Sequence, residues 1–185
     1  MRIKTSLVAF LMILIPIAAV AANGIEYQDK ATEDAANQVT KYMLSGDEER
    51  GKYLKQLKKM TANHPGNNNV RNMYANILIA ERNYPMGLEQ LKIINKDNPK
   101  PGSKLTECML MEKAGERAGG CYQGVVSLFE ESHTEDDNYI IALYLSGDPK
   151  FEAEKNKLMG SGRLTEEEKN ILSLRRDELI GSVLP

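Results

Sequence analysis

Two stretches of this chain end on a proline at a fixed spacing, and this recurrence limits the possible folds more than any other feature. The segments 62–65 and 96–99 close on Pro65 and Pro99, which are 34 residues apart. Three sets of residues recur at the same interval: Tyr53, Leu57 and Met60; Gly87, Leu91 and Ile94; Cys121, Val125 and Leu128. Members of a set are four and three residues apart, so each set lies on one face of a helix. A period of this size indicates similar units stacked side by side.

The composition favours helix nearly throughout the chain. There is no tryptophan, there are only three phenylalanines, and no run of alternating β-branched residues occurs. Amphipathic patterns between the recurring sets predict further helices at 70–81 and 104–113. In the second of these, Glu112 falls on the face that Leu105, Cys108 and Met109 turn inward. We therefore expect an all-α fold.

The segment 68–99 resembles a tetratricopeptide repeat (TPR), a unit of two antiparallel helices. Tyr74, Ala75 and Leu78 match the large-small-large pattern of the first helix. Gly87 matches the small residue of the second helix, and Pro99 matches the closing proline. The resemblance implies that each helix pair buries an apolar face against its neighbours.

Further units extend the resemblance in both directions. Residues 102–132 and 34–65 match less closely, and in 34–65 the pair Thr40-Lys41 replaces the usual large and small residues. The sequence Leu-Ser-Gly-Asp at 44–47 recurs at 145–148, where it predicts the turn of a fourth, degenerate unit. The first helix of that unit would turn inward Tyr139, Ala142 and Leu143.

A last helix is predicted from Thr165 to about Ile180, because Thr165 and Glu168 have the spacing of a capping box. Terminal units of a stacked array need a cover for their apolar face, and this helix fits that purpose. The chain is thus predicted to form a TPR-like α-solenoid of about three to four helix pairs plus a C-terminal capping helix, over residues 23–185.

The first residues have the order of a secretory signal peptide: a basic start, an apolar run at 7–20, and small residues before polar Asn23. The run is shorter than the roughly 20 residues that cross a bilayer. We expect residues 1–22 to be removed after Ala21 or Ala22, so that the mature chain is periplasmic or secreted. An uncleaved anchor is the alternative.

The charge of the mature chain argues against two classes of partner. Loss of the two basic residues at the start leaves 22 of the 24 basic residues against 26 acidic ones, a formal charge of −4. A mildly acidic protein has no electrostatic reason to bind nucleic acid or anionic lipid. No segment after residue 22 is apolar enough to span a membrane, so we expect no membrane insertion of the mature chain.

Cys108 and Cys121 are the two cysteines of the chain and fall in one predicted helix pair. Their spacing leaves three possibilities, namely a structural disulfide, two inert thiols, or a redox pair, although redox motifs have the shorter C-x-x-C spacing. The TPR resemblance favours the disulfide, because the small residues of a unit meet where its helices cross. Cys121 occupies that place in its helix, and Cys108 stands one residue before it.

No pattern for catalysis, metal binding or a cofactor occurs in the sequence. His64 and His133 are predicted to be loop or helix-end residues, and neither has a histidine or cysteine at metal-ligand spacing. No glycine-rich phosphate loop or nucleophile elbow is present. We therefore expect no catalytic residue, no metal and no cofactor, while an enzyme with a site assembled from scattered residues stays an alternative.

The first helices of stacked pairs line a concave groove, which proteins of this architecture use to hold a peptide or helix. The candidate residues of that groove come from four predicted first helices. They are Tyr42, Asn69, Asn72, Asn76, Leu110, Lys113 and Tyr144. Amides and tyrosines suit this purpose, because they offer hydrogen bonds and rigid contact area. The alternative is that these are solvated helix faces without a dedicated partner.

The predicted function is an exported module or scaffold that holds a protein or peptide, for example in assembly or secretion. An immunity protein that neutralises an exported toxin is a second hypothesis, since small size, a signal peptide and mild acidity all fit it. Neither hypothesis identifies the partner or fixes the oligomeric state.

Overall fold

The computed structural model describes residues 29–184, which form ten α-helices and no β-strand. The helices are α1 (Lys30–Leu44), α2 (Asp47–Asn63), α3 (Asn68–Ala80), α4 (Tyr84–Ile94), α5 (Pro101–Lys113), α6 (Gly119–Glu131), α7 (Asp137–Ser146), α8 (Phe151–Gly160), α9 (Glu166–Ile171) and α10 (Arg176–Val183). The expected signal peptide at 1–22 lies outside the described residues. The predicted all-α class is confirmed.

Side-chain caps fix where individual helices begin. Asp29 accepts a hydrogen bond of 2.8 Å from the backbone N–H of Thr32 at the start of α1. At α9, Thr165 and Glu168 form the predicted capping box. Each cap satisfies an N–H group that has no partner within its own helix, which is why a helix starts there.

Several helices are followed, one or two residues after they end, by a residue with left-handed backbone geometry. These residues are Arg82 after α3, Gly115 after α5, His133 after α6, Gly147 after α7 and Gly162 after α8. After α7, the N–H of Gly147 donates to Tyr144 and that of Asp148 donates to Leu143. This pair of bonds reverses the chain abruptly, so that the next helix returns beside the one before. His64, the C-cap of α2, and His133 are confirmed as helix-end residues.

The two Leu-Ser-Gly-Asp segments both include the turn from one helix to the next, as predicted, yet their backbones differ. Gly147 is left-handed, with φ 72° and ψ 28°, whereas Gly46 is extended, with φ −70° and ψ 166°. The difference arises because Gly46 is itself the N-cap of α2, which begins at Asp47. After Gly147, the chain continues to Phe151 before α8 begins.

Helices α1 and α3 run parallel, side by side. At their starts, the Asn67 side-chain amide donates to both carboxylate oxygens of Asp29, at 3.0 and 3.2 Å. At their ends, the Tyr42 hydroxyl donates to the Glu81 carboxylate. Because α2 lies between them in the chain, this arrangement places two successive helical hairpins next to each other.

Consecutive helices pack against each other from α1 to α8, with one departure from even stacking. Helix α1 packs on α3, and α5 packs on α7. Helices α3 and α5, by contrast, are connected mainly through α4, which packs against both. Two hydrophobic clusters result, one built from α1, α2 and α3, and the other extending from α3 to the C-terminal residues. Helix α3 belongs to both clusters.

Gly87 lies at a close contact between α4 and α3. A Cβ atom placed on this glycine would lie 2.9 Å from Cγ1 of Ile79 and 3.8 Å from the backbone oxygen of Ala75. Only a residue without a side chain fits there, because interiors are packed too densely to admit another methyl group. The small residue predicted for the second helix of the unit thus has the expected packing role.

In the next hairpin, a disulfide between Cys108 and Cys121 joins α5 and α6, with 5.7 Å between the Cα atoms. The predicted pairing is present in the structure. Cys108 is fully buried. Helix pairs α3–α4 and α5–α6 therefore close at comparable places, one by a glycine contact and the other by a covalent bond.

The predicted continuous helix from Thr165 to Ile180 is wrong. Helix α9 ends at Ile171, and α10 begins at Arg176 after a turn. The turn buries Leu172 and brings Leu179 and Ile180 into the same cluster, which a straight helix would not achieve. A second helix start follows, where Glu178 accepts a hydrogen bond from the N–H of Arg175.

Replacing Gly87 by alanine tests the close approach of α3 and α4. We expect Gly87→Ala to lower the free energy of unfolding by about 1 kcal/mol, because the clash with Ile79 outweighs the better helix propensity of alanine. Gly124→Ala is the matched control, since Gly124 lies within α6 and a Cβ atom added to it would have no neighbour within 4 Å. That variant should gain about 0.5–1 kcal/mol in urea unfolding. Equal gains in both variants would contradict the close approach.

The disulfide should stabilise the fold measurably. Replacing Cys108 and Cys121 by alanine is expected to cost about 3 kcal/mol in the free energy of unfolding, because the unfolded chain loses a loop constraint. Each single substitution should cost a similar amount, since either one removes the bond. A free-thiol assay on denatured, unreduced protein should find no reactive thiol, and titration of both thiols would disprove the bridge.

Candidate partner-binding surface

Three predicted groove residues form a row along α3. Asn69 is exposed, and Asn72 and Asn76 are half-buried, with spacings of three and four residues that place all three on one side of the helix. Their side-chain amides form no hydrogen bond within residues 29–184, and the Asn67 side chain accepts from the backbone N–H of Asn69. We refer to Asn69, Asn72 and Asn76 as the asparagine row. Its amide groups are free to donate and accept hydrogen bonds.

Two of the other predicted groove residues are buried, which corrects their expected place on an open surface. Tyr42 is 4% exposed, since its hydroxyl bonds to Glu81 and the Arg50 guanidinium lies 5.6 Å from the centre of its ring. Leu110 is fully buried within the C-terminal cluster. Both side chains serve packing between helices, because neighbouring helices close over positions that an isolated helix would leave open.

Lys113 and Tyr144 lie in different helices from the asparagine row. Lys113 is exposed at the end of α5. Tyr144 is half-buried in α7, where its ring packs against Phe151 with 4.9 Å between centroids. Leu110 and Lys113 share a face of α5, but Leu110 is buried, so the asparagine row is the one set of candidates that shares a helix face and stays at least partly exposed.

A polar cluster that the sequence did not predict joins α10 to the preceding helices. Arg176 donates to Glu112 through Nε at 2.9 Å and through Nη2 at 2.7 Å. Its Nη1 donates to the backbone oxygen of Leu145 at 2.7 Å, and its guanidinium lies 5.3 Å from the centre of the Tyr122 ring. One arginine of α10 therefore contacts α5, α6 and α7.

The electrostatics of this cluster keep its ion pair charged. The hydrogen bond from Arg176 lowers the pKa of Glu112, against the opposing effect of burial. Burial, followed by the hydrogen bond to Glu112, raises the pKa of Tyr122, so its hydroxyl remains a donor to Glu112 at 2.9 Å. A charged, fully bonded carboxylate is suited to holding helices together and poorly suited to transferring protons.

A signal for this cluster exists in the sequence. Glu112 falls one helical turn after Cys108 on the inward face of α5, and a carboxylate in that position needs a cationic or hydrogen-bonding partner. The partner itself lies 64 residues further along the chain. Sequence spacing does not distinguish Arg176 from the exposed Arg175 next to it.

A cavity of about 310 Å³ opens between α6, α7 and α8, with Phe129, His133 and Tyr139 among its lining residues. Its carboxylates are engaged, since Lys150 contacts Glu130 at 2.6 Å. That hydrogen bond lowers the pKa of Glu130, so the carboxylate stays ionised near neutral pH and is a poor proton donor.

Two further findings concern metals and membranes. Across residues 29–184, no group of three or more histidine, cysteine, aspartate and glutamate side chains is arranged to hold a metal ion. None of the helices in this part of the chain is both long and apolar enough to cross a membrane.

Comparison with known proteins does not assign this chain to a family. No family model, no curated protein and no solved structure matches this chain. Its function is therefore inferred from the geometry of its own residues.

The Arg176–Glu112 pair should contribute to stability in a pH-dependent way. We expect Arg176→Met to cost about 1–2 kcal/mol at pH 7, a value reduced by solvent because the arginine side chain is 42% exposed. The folded-state pKa of Glu112 lies below its ordinary value of 4.5. The ion pair therefore contributes to the free energy of unfolding at pH values above 4.5. This contribution is lost as the pH falls through the lowered pKa, so the deficit of the variant should shrink in acid.

Urea unfolding of both proteins between pH 7 and pH 3 measures this difference. Arg175→Met is the matched control, because that arginine is 75% exposed and pairs only with residues of its own helix turn. It should leave the free energy of unfolding nearly unchanged at every pH, because an exposed ion pair contributes little. If the loss of stability in Arg176→Met does not change with pH, the arginine stabilises the fold by packing alone and not through its ion pair.

Proposed function

We propose that this chain is an exported protein-binding module of TPR type that holds a protein or peptide partner along the face of α3. The observation that carries the proposal is the asparagine row, which presents three amides at helical spacing without partners in the described residues. A polypeptide partner suits such a row, because each amide can both donate to and accept from a peptide backbone.

The architecture supports the TPR assignment at two levels. Successive hairpins lie next to each other, with α1 parallel to α3 through contacts at both helix ends. Within hairpins, Gly87 and Cys121 lie at the contacts between paired helices, as the repeat pattern expects. The first helix of each hairpin then has a face left over for binding.

Export is supported by the disulfide. Stable disulfides form in oxidising compartments and are rare where thiols are kept reduced. The Cys108–Cys121 bond is consistent with a periplasmic or secreted location, which the N-terminal sequence also favours.

The proposal is tested by removing the two half-buried amides of the asparagine row. Asn72→Ala with Asn76→Ala should abolish recovery of a partner in pull-downs from the compartment to which the protein is exported. Thermal stability should change little, within about 0.5 kcal/mol, because neither amide has a hydrogen bond to lose within the described residues.

The control is Asn156→Ala with Asn170→Ala, which removes two exposed asparagines from α8 and α9. This variant should recover the partner as wild type does. If the α3 variant and wild type recover the same partner equally well, the partner does not bind at the asparagine row.

A further inference from the structure

The charge of this acidic protein is distributed unevenly along the chain. Between Glu49 and Glu81 there is no aspartate or glutamate, while six basic residues occur there. They are Arg50, Lys52, Lys55, Lys58, Lys59 and Arg71. The sign of the net charge therefore conceals a basic segment that covers most of α2 and all of α3.

Four of these residues lie on the outer side of α2. Lys52, Lys55 and Lys59 are three and four residues apart, so they share one face, and Lys58 lies beside them. All four side chains are exposed. The buried Leu57 and Thr61 lie on the opposite side of the helix, which packs against α1 and α3. We call the four lysines the lysine face of α2.

The lysine face has no carboxylate partner in the described part of the chain. None of its four ammonium groups lies within 4.0 Å of a carboxylate there, whereas Lys30, Lys92, Lys150, Lys157 and Lys169 all form ion pairs. Arg50 pairs with Asp47 and Arg71 is buried, so neither belongs to this surface. Four clustered positive charges that form no ion pair in the described residues attract an anionic partner.

The chemistry of the surroundings favours an acidic polypeptide over a membrane. Asp47, Glu48 and Glu49 lie in the first turn of the same helix and would be repelled by an anionic bilayer. No large apolar side chain is exposed among the lysines to enter the lipid, since the exposed ones in residues 29–184 are Met43, Leu44 and Ile93. A polypeptide with a short acidic segment can contact the lysines and avoid these carboxylates.

We propose that the lysine face of α2 is a docking surface for an acidic segment of a protein. This surface differs from the asparagine row, lies on a different helix, and does not depend on what binds there. Three lysines within two helical turns extend over roughly 10 Å along the helix, so an extended acidic segment of a few residues matches their span. Such contacts are exposed and are weakened by salt.

The test uses the purified full chain and a fluorescent peptide of alternating glutamate and serine, with binding followed by anisotropy at low and at high salt. We expect wild type to bind at low salt and to release the peptide as salt is raised. The variant Lys52→Gln, Lys55→Gln, Lys59→Gln should bind about tenfold more weakly, because exposed pairs contribute modestly and add up. Circular dichroism should show an unchanged fold, since all three side chains are exposed.

The matched control removes three positive charges elsewhere, by Lys96→Gln, Lys100→Gln and Arg117→Gln. These side chains are exposed and have no ion pair in the described residues, so this variant should bind within about twofold of wild type. If both variants bind the peptide equally weakly, binding depends on net charge and not on the lysine face, and the proposal is wrong. An absence of wild-type binding at low salt would also overturn the proposal.

Two further probes distinguish the class of partner. Vesicles containing phosphatidylglycerol and a single-stranded oligonucleotide are titrated against wild type and both variants. We expect both probes to bind more weakly than the peptide. If either binds more tightly than the peptide and loses that binding in the α2 variant, the lysine face recognises a lipid surface or a nucleic acid, and the proposed acidic polypeptide is wrong.

Discussion

The fold depends on α3 being buried from two sides at once. Tyr74 and Leu78 pack into the cluster formed with α1 and α2, whereas Ala75 and Ile79 pack into the cluster that begins with α4. A thirteen-residue helix is only marginally stable by itself in water, so it depends on burial of this kind. The small size of Ala75 and Gly87 is what allows α4 to come close enough for the second cluster to form. Only a narrow strip of α3 remains uncovered, and the asparagine row occupies it.

The C-terminal helices bury their apolar side chains in a different way. Helix α10 supplies Leu179 and Ile180 to the cluster that begins with α4. Arg176 directs this packing, because it bonds to Glu112 of α5 and to a free carbonyl at the end of α7. Polar contacts of fixed geometry define where a helix sits, while apolar burial supplies most of the free energy. The bend between α9 and α10 allows Arg176 and Leu179 to contact the preceding helices at the same time.

Local features of the sequence predicted the local features of the fold. The helices, the capping box at Thr165, the turn at Gly147 and the close contact at Gly87 follow from side-chain size, capping chemistry and spacing within a few residues. The features that escaped prediction depend on contacts between distant segments. Periodicity places Tyr42 and Leu110 on a helix face but does not say which other helix covers that face. The partner of Glu112 and the bend after Ile171 are set in the same way, by packing that no window of sequence contains.

The lysine face was not predicted for another reason: the net charge is a sum over the whole chain and hides local clusters of one sign. A formal charge of −4 for the mature chain argues against anionic partners only if positive and negative groups are mixed over the surface. In residues 29–184, carboxylates pair with most of the basic side chains of the C-terminal helices, such as Lys150 with Glu130 and Lys157 with Glu135. Helix α2 has acidic residues only in its first turn, where they interact favourably with the helix dipole. The lysines beyond that turn form no ion pair in residues 29–184. At physiological salt, charges more than about 8 Å apart are largely screened from each other, so a partner at Lys55, Lys58 and Lys59 responds to those lysines more than to carboxylates elsewhere on the protein. Docking at the proposed lysine face would thus depend on the arrangement of charge over one or two helical turns, which the net charge of the protein does not reveal.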